Sequence, residues 1–235
     1  MGLGEVLYLA THAGLLRIQS GSDVRVGPDI DLMGFAVAGP RHFYASGHPG
    51  MGSTLVDPVG LIESTDAGLT WTSRSLEGQV DLHILAAAGR TVVGFDGELR
   101  LSIDGGATWR RQPTPTPVRA LAVAPTGQDF LAATSTGIIR FDSAGSPRTL
   151  PGAPVVDMLS WAVLSTVVGV SFAGEVYVSS DAGSTWAKTG TVGADVQAVT
   201  ALPAGEGNLE IFAVTAAGIM HSTDSGGHFT PYPAG

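Results

Sequence analysis

Short apolar runs closed by glycine or polar turns recur along the whole chain. Those at 32–38, 82–88, 119–124, 158–164 and 196–202 are nearly continuous in apolar residues, the pattern of strands covered on both faces by neighbouring sheets. A short core helix is the rival for a run such as Leu85-Ala86-Ala87-Ala88, and the recurrence of glycine around it argues for strands. Apolar segments also pair about glycine turns: 6–10 with 15–18, 92–95 with 99–102, 130–134 with 138–141, 167–171 with 175–179, and 211–215 with 219–222. Each pair reads as a hairpin. The predicted unit is therefore an apolar strand, a hairpin of two more strands, a polar turn and a short polar outer strand.

The polar turn carries a signature. Ser64-Thr65-Asp66-Ala67-Gly68-Leu69-Thr70-Trp71 is repeated at 102–109 and 179–186, with a decayed copy at 222–229. An Asp two residues before Gly folds its carboxylate back onto main-chain N–H groups of a tight turn, while Gly supplies the positive φ. On this reading Asp66, Asp104, Asp181 and Asp224 are structural, with Gly68, Gly106, Gly183 and Gly226 at the turns. Trp71, Trp109, Trp186 and Phe229 then fill the wedge between adjacent sheets, burial contributing roughly 1.5–3 kcal/mol each. The alternative is that the four carboxylates form a ring of metal or sugar ligands.

The pattern Ser-x-Asp-x-Gly-x-Thr-aromatic resembles the Asp-box, or bacterial neuraminidase repeat, of sialidase-like, sortilin-like and photosystem-assembly-factor-like propellers. Four further stretches resemble a bacterial glycosylhydrolase-like subgroup of that superfamily: Ser46-Gly47-His48-Pro49-Gly50, Asp31-Leu32-Met33-Gly34-Phe35, 60–66, and Ala10-Thr11-His12-Ala13-Gly14-Leu15. The resemblance implies an all-β propeller and, because many members are exported, a periplasmic or extracellular setting. Members often carry a His-containing inner strand ahead of the position of Val6, where this sequence has Gly2-Leu3.

Spacing sets the number of repeats. The box aspartates fall at 66, 104, 181 and 224, so the gap between 104 and 181 is about twice the others and predicts a hidden copy near 142. Arg140-Phe141-Asp142-Ser143-Ala144-Gly145 sits there, and a degenerate first copy runs over 17–23 with Gln19 in the Asp position and Gly21 retained. Six repeats of about forty residues predict a six-bladed propeller in one domain, with four strands per blade. The blades run approximately over 1–28, 29–78, 79–114, 115–152, 153–192 and 193–235. The first begins at its second strand, so its innermost strand is expected to be missing. An open edge of that kind invites association with another chain.

Composition narrows the partners. Twelve basic residues, eleven of them Arg, face twenty-one acidic ones for a net charge of −9, which repels a phosphate backbone and argues against nucleic acid. With no cysteine there is no disulfide, thiolate nucleophile or Cys-based metal site. No window approaches the apolar length of a membrane span, and nothing in the sequence calls for a bound cofactor.

The candidate site follows from propeller geometry. Loops into the innermost strands and loops joining second to third strands crowd the face opposite the boxes. On them lie His12, Asp31, His48, Asp81, His83, Asp96, Arg119 and Asp157. His48 falls in a Gly/Pro-rich insertion over 46–60, a long loop on an otherwise economical scaffold. Beside Asp31, Asp81 and His83 it is a candidate acid/base or metal ligand, since a carboxylate stabilises imidazolium and orients the ring. Capping of its own turn is the other reading. For His83, on an apolar run, a core histidine competes with a functional one, and His42, His221 and His228 receive no role.

Three function classes follow. A sialidase would need three converging arginines, a Tyr nucleophile with a Glu partner, and an Asp acid/base. Only Arg119 stands at an inner strand, and none of Tyr8, Tyr44, Tyr177 and Tyr232 begins one, so that activity is not expected. The favoured reading is a scaffold binding a carbohydrate or protein ligand at the channel mouth. Its rivals are another glycoside hydrolase using two of Asp31, Asp81, Asp96 and Asp157, and a metal-binding propeller using His12, His48 and His83.

Overall fold

The computed structural model describes residues 6–19, 22–114, 116–205 and 207–233. Every regular element in it is a strand, and the strands form six antiparallel sheets, the blades of a six-bladed β-propeller. The chain divides into two compact units, Met1–Gln112 with Pro233–Gly235, and Pro113–Tyr232.

The first unit holds three sheets. One is β1 (Leu7–Thr11), β2 (Gly14–Gln19) and β3 (Ser22–Val26). The next is β4 (Ile30–Gly39), β5 (His42–Pro49), β6 (Leu61–Ser64) and β7 (Thr72–Ser75), and the third is β8 (Ile84–Ala88), β9 (Thr91–Phe95), β10 (Leu99–Ser102) and β11 (Arg110–Gln112). Among the described residues the first sheet has three strands where the others have four, with β1 on its edge. The expected first-repeat turn at Ser20 and Gly21, and the opening stretch at 1–5, lie outside the described residues.

The second unit repeats the plan with β12 (Val118–Val123), β13 (Phe130–Thr134), β14 (Gly137–Phe141) and β15 (Pro147–Thr149). Then come β16 (Met158–Val163), β17 (Thr166–Val170), β18 (Glu175–Ser179) and β19 (Ala187–Thr191). The last sheet is β20 (Val196–Pro203), β21 (Leu209–Thr215), β22 (Gly218–Ser222) and β23 (Thr230–Pro231). Strands β12 and β13 are buried at every position but Arg119, the two-sided covering that the apolar runs predict.

The core within each unit lies between successive sheets. One cluster joins Leu15 and Val26 of the first sheet to Ile30, Phe43 and Ile62 of the second, with Trp71 against it. Another joins Tyr44 and Leu61 to Leu82, Leu85 and Val92, with Trp109 against it. In the second unit Trp186 and Phe229 occupy the equivalent wedges. Each aromatic stands immediately before the outgoing strand and is half-buried.

The signature hairpins are built as the residue types dictate. Ser64 Oγ donates to Asp66 Oδ1 at 2.8 Å and accepts the Gly68 N–H at 2.8 Å. Asp66 in turn accepts the Thr70 N–H at 2.9 Å and the Thr70 hydroxyl at 2.7 Å. The same bonds recur around Asp104 and Asp181. At Asp224 the His228 ring nitrogen, 2.8 Å away, takes the place of the Thr hydroxyl. Asp142 keeps part of the pattern, accepting the N–H groups of Ala144 and Ser146 at 2.9 Å. Each carboxylate thus serves its own turn rather than a shared centre. At Gly106 φ is +79°, and an added Cβ would lie 2.0 Å from Leu61 Cδ2 of the preceding sheet, so that glycine also permits close sheet packing.

Candidate functional site

The first unit gathers three of the six histidines with four carboxylates, and its backbone explains why. In the β4–β5 ladder Asp31 stands directly opposite His48, which places their side chains on one face. Gly47 beside it has φ +150°, and a Cβ there would lie 1.9 Å from Asp31 O, so the strands meet only because the position is glycine. Strand β5 runs through Pro49. The expected insertion over 46–60 is therefore corrected: its first four residues are strand, because the Gly47 backbone pairs with Leu32, and the loop proper follows.

That loop is anchored at both feet. Gly50 N–H donates to Asp29 O at 3.1 Å, and Val59 N–H to Gly47 O at 2.9 Å. Between them Met51, Leu55 and Val56 are exposed, Met51 fully. The segment leading into β8 is tied to the same loop by Gly78 N–H on Pro58 O, at 2.8 Å. Its Leu82 N–H reaches the buried Ser46 Oγ at 2.9 Å. Asp81 and His83 flank Leu82, so this bond sets both beside His48.

The side chains connect in two groups. His12, at the tip of the β1–β2 hairpin, holds Asp31 through Nδ1 at 2.7 Å. His48 lies between two carboxylates, Nδ1 to Asp57 Oδ1 at 2.6 Å and Nε2 to Asp81 Oδ2 at 3.2 Å. His83 Nε2 approaches the same Asp81 oxygen at 3.3 Å. Both Asp81 oxygens are buried, and among the described residues neither has a hydrogen-bond partner. The bond to Asp57, aided by the charges of Asp81 and Asp31, holds the His48 pKa above its ordinary value against the opposing effect of burial. Asp29 pairs with Arg25 at 2.5 Å.

His83 precedes β8, and its side chain is 57% exposed, which corrects the core-histidine reading: the strand starts one residue later. Asp96 is not brought to this group, since Arg100 grips it at 3.1 and 3.2 Å. In the second unit Arg119 Nη1 donates to Asp157 Oδ1 at 2.7 Å, and Asp157 Oδ2 accepts the Phe172 N–H at 2.7 Å. Asp57 is the residue that the sequence reading passed over. Its signal was its place in the Gly/Pro loop that begins beside His48. Among the described residues, no group of three or more His, Asp or Glu side chains is placed so that it could hold a metal ion, and no helix is long and apolar enough to cross a membrane.

The class that this fold defines is the β-propeller, and solved structures of that class match it. A GH74 xyloglucanase from Xanthomonas campestris is 19% identical with a TM-score of 0.65, over 99% of this chain and 39% of its own. A structure of YCF48 bound to D1 peptide is 19% identical, TM-score 0.56, over 100% of this chain and 73% of its own. A nidogen/laminin complex contains a chain 13% identical, TM-score 0.73, over 97% and 93%. At these identities the likeness shows the fold, and the chain spans well under half of the xyloglucanase. No protein-family profile matches the sequence, and no curated protein matches it.

Proposed function

We propose that this chain is an Asp-box propeller that serves as a binding scaffold for a protein ligand, engaged in the first unit through the 50–60 loop and the histidine–carboxylate group. The observation that carries the reading is the loop itself. Met51, Leu55 and Val56 are presented to solvent on a segment whose feet are fixed by main-chain bonds and whose Asp57 holds His48. A loop whose feet are already fixed loses less main-chain freedom on docking. Around them Asp29, Asp31, Asp57 and Asp81 outnumber the nearby Arg25, so the complementary ligand is apolar with basic residues at its rim. The Asp-box subtype is supported by the recurring Ser–Asp–Thr bonds. Solved propellers similar in fold include one bound to a peptide and one in a protein complex.

The test is a peptide-display selection against the whole chain, followed by measured affinities. Basic, apolar peptides are expected to bind, to weaken with salt, and to lose about tenfold or more on a Met51→Ser/Leu55→Ser/Val56→Ser variant. Turnover of aryl glycosides that disappears on Asp31→Asn or Asp81→Asn would replace this reading with a hydrolase.

A further inference from the structure

The start of the 50–60 loop is a turn of one defined shape. Ser53 N–H donates to Gly50 O at 3.1 Å, and Gly52 takes φ +79° while Met51 keeps a negative φ, the combination of a type II turn with Met51 at its second position. One side of the turn is held against the start of β4: Gly50 N–H reaches Asp29 O, and an added Cβ at Gly50 would lie 2.1 Å from that oxygen. The other side is open, since an added Cβ at Gly52 would meet nothing within 4 Å. With a glycine on either side of it in the sequence, the Met51 side chain has no adjacent side chain to shield it and is fully exposed. The other described methionines differ. Met33 is half-buried in β4, and Met158 and Met220 are half-buried against the core of the second unit.

A thioether is an apolar group that a two-electron oxidant turns into a polar one. A sulfur lone pair attacks one peroxide oxygen, and the O–O bond breaks as the S–O bond forms. The displaced hydroxide takes the proton of the transferred oxygen and leaves as water, so the sulfur loses the two electrons that the peroxide gains. Susceptibility follows exposure of the side chain, and here exposure singles out one residue. We propose that Met51 is a methionine sulfoxide site, oxidised by peroxide-class oxidants ahead of Met33, Met158 and Met220, and that its oxidation weakens ligand docking on the loop. For that consequence the inference rests on the protein-binding reading. The sulfoxide oxygen is a hydrogen-bond acceptor that an apolar contact leaves unsatisfied. The same exposure opens the product to the sulfoxide reductases, which makes the change reversible.

The experiment treats the whole chain with dilute hydrogen peroxide and maps the sulfoxides by mass spectrometry of proteolytic fragments. Affinity is then measured for a basic, apolar peptide selected on the unoxidised chain. Met51 is expected to react before Met33, Met158 and Met220, with an unchanged circular dichroism spectrum and a loss of affinity of about fivefold or more. Treatment with the two sulfoxide reductases restores the affinity. Met51→Leu keeps an apolar side chain at the turn, binds the peptide as the wild type does, and loses nothing on peroxide treatment. Oxidation of Met33, Met158 or Met220 as fast as Met51 overturns the proposal, as does an equal loss of affinity in peroxide-treated Met51→Leu protein. Failure of any such peptide to bind in either state overturns the preceding reading, whereas equal binding before and after oxidation of Met51 overturns only this one.

Discussion

Replacing Ser46 by Ala tests how the fold holds the candidate site. Ser46 is 0% exposed, and its Oγ accepts the Leu82 N–H at 2.9 Å. The Leu82 side chain is equally buried, so no water replaces the lost oxygen. Nor can the peptide shift toward β4: an added Cβ at Gly34 would lie 2.1 Å from Leu82 O, a measure of how tightly the backbones already meet. An unsatisfied buried N–H costs about 1–3 kcal/mol. For a chain of this size each kcal/mol lowers Tm by roughly 2–4 °C, so the midpoint should fall by about 2–12 °C. Thermal unfolding followed by circular dichroism measures the midpoint, and urea denaturation the free energy, an unaltered slope showing that the unfolded state is the same. The control is Ser53→Ala, where a hydroxyl also accepts a main-chain N–H, from Leu55 at 3.2 Å, but in the exposed loop. Water satisfies that donor, and the cost should stay within about 0.5 kcal/mol. Equal losses at both positions would refute the argument from burial.

The signature hairpins make two further predictions. Ser64→Ala and Ser102→Ala each strand a buried glycine N–H and should cost about 1–3 kcal/mol apiece by urea denaturation. Because the two serve separate turns, the double variant should show the sum to within about 0.5 kcal/mol; strong coupling would mean that the hairpins are not independent staples. Bonds from Thr70, led by its hydroxyl, hold the Asp66 pKa at about 2, and those of Thr185, led by its N–H, do the same for Asp181, against an ordinary 3.8. These groups bind fewer protons folded than unfolded near pH 4, so their stabilisation is present above that pH and is lost as pH falls toward 2. Acid titration of Thr70→Val should show a smaller loss across that window, and an unchanged profile would contradict the assignment.

Most of the scaffold was legible because sheets and turns are local. Hairpins such as 130–134 with 138–141 recur within a residue of their expected bounds, since a glycine turn and a pair of apolar runs specify them without help from the rest of the chain. The second sheet was harder. Ser46, Gly47, His48 and Pro49 look like loop by composition, and they become strand because β4 is long enough to pair with them. That decision rests on a partner, not on the residues themselves. The same holds for the site. His12, Asp31, His48, Asp81 and His83 were named from their place at loop ends, yet Asp96 shared that place and is taken by Arg100. Topology puts polar residues on a face, and only side-chain geometry says which of them meet.

The histidine–carboxylate group also shows how a fold holds an unfavourable side chain in place. Asp81 would be cheaper to fold as Asn or Leu, because its oxygens are buried without a hydrogen-bond donor. Around it the chain is over-determined: Ser46 fixes Leu82, Gly34 and Gly47 bring β4 against its neighbours, and Asp57 fixes the His48 ring. Four such contacts keep one unfavourable carboxylate in place. The signature aspartates, each closing its own hairpin, have no such unmet demand. Substituting Asp81 by Asn should therefore raise stability, whereas Asp66→Asn should lower it. Urea denaturation of both variants decides the matter, and a destabilised Asp81→Asn protein would show that the carboxylate is structural after all.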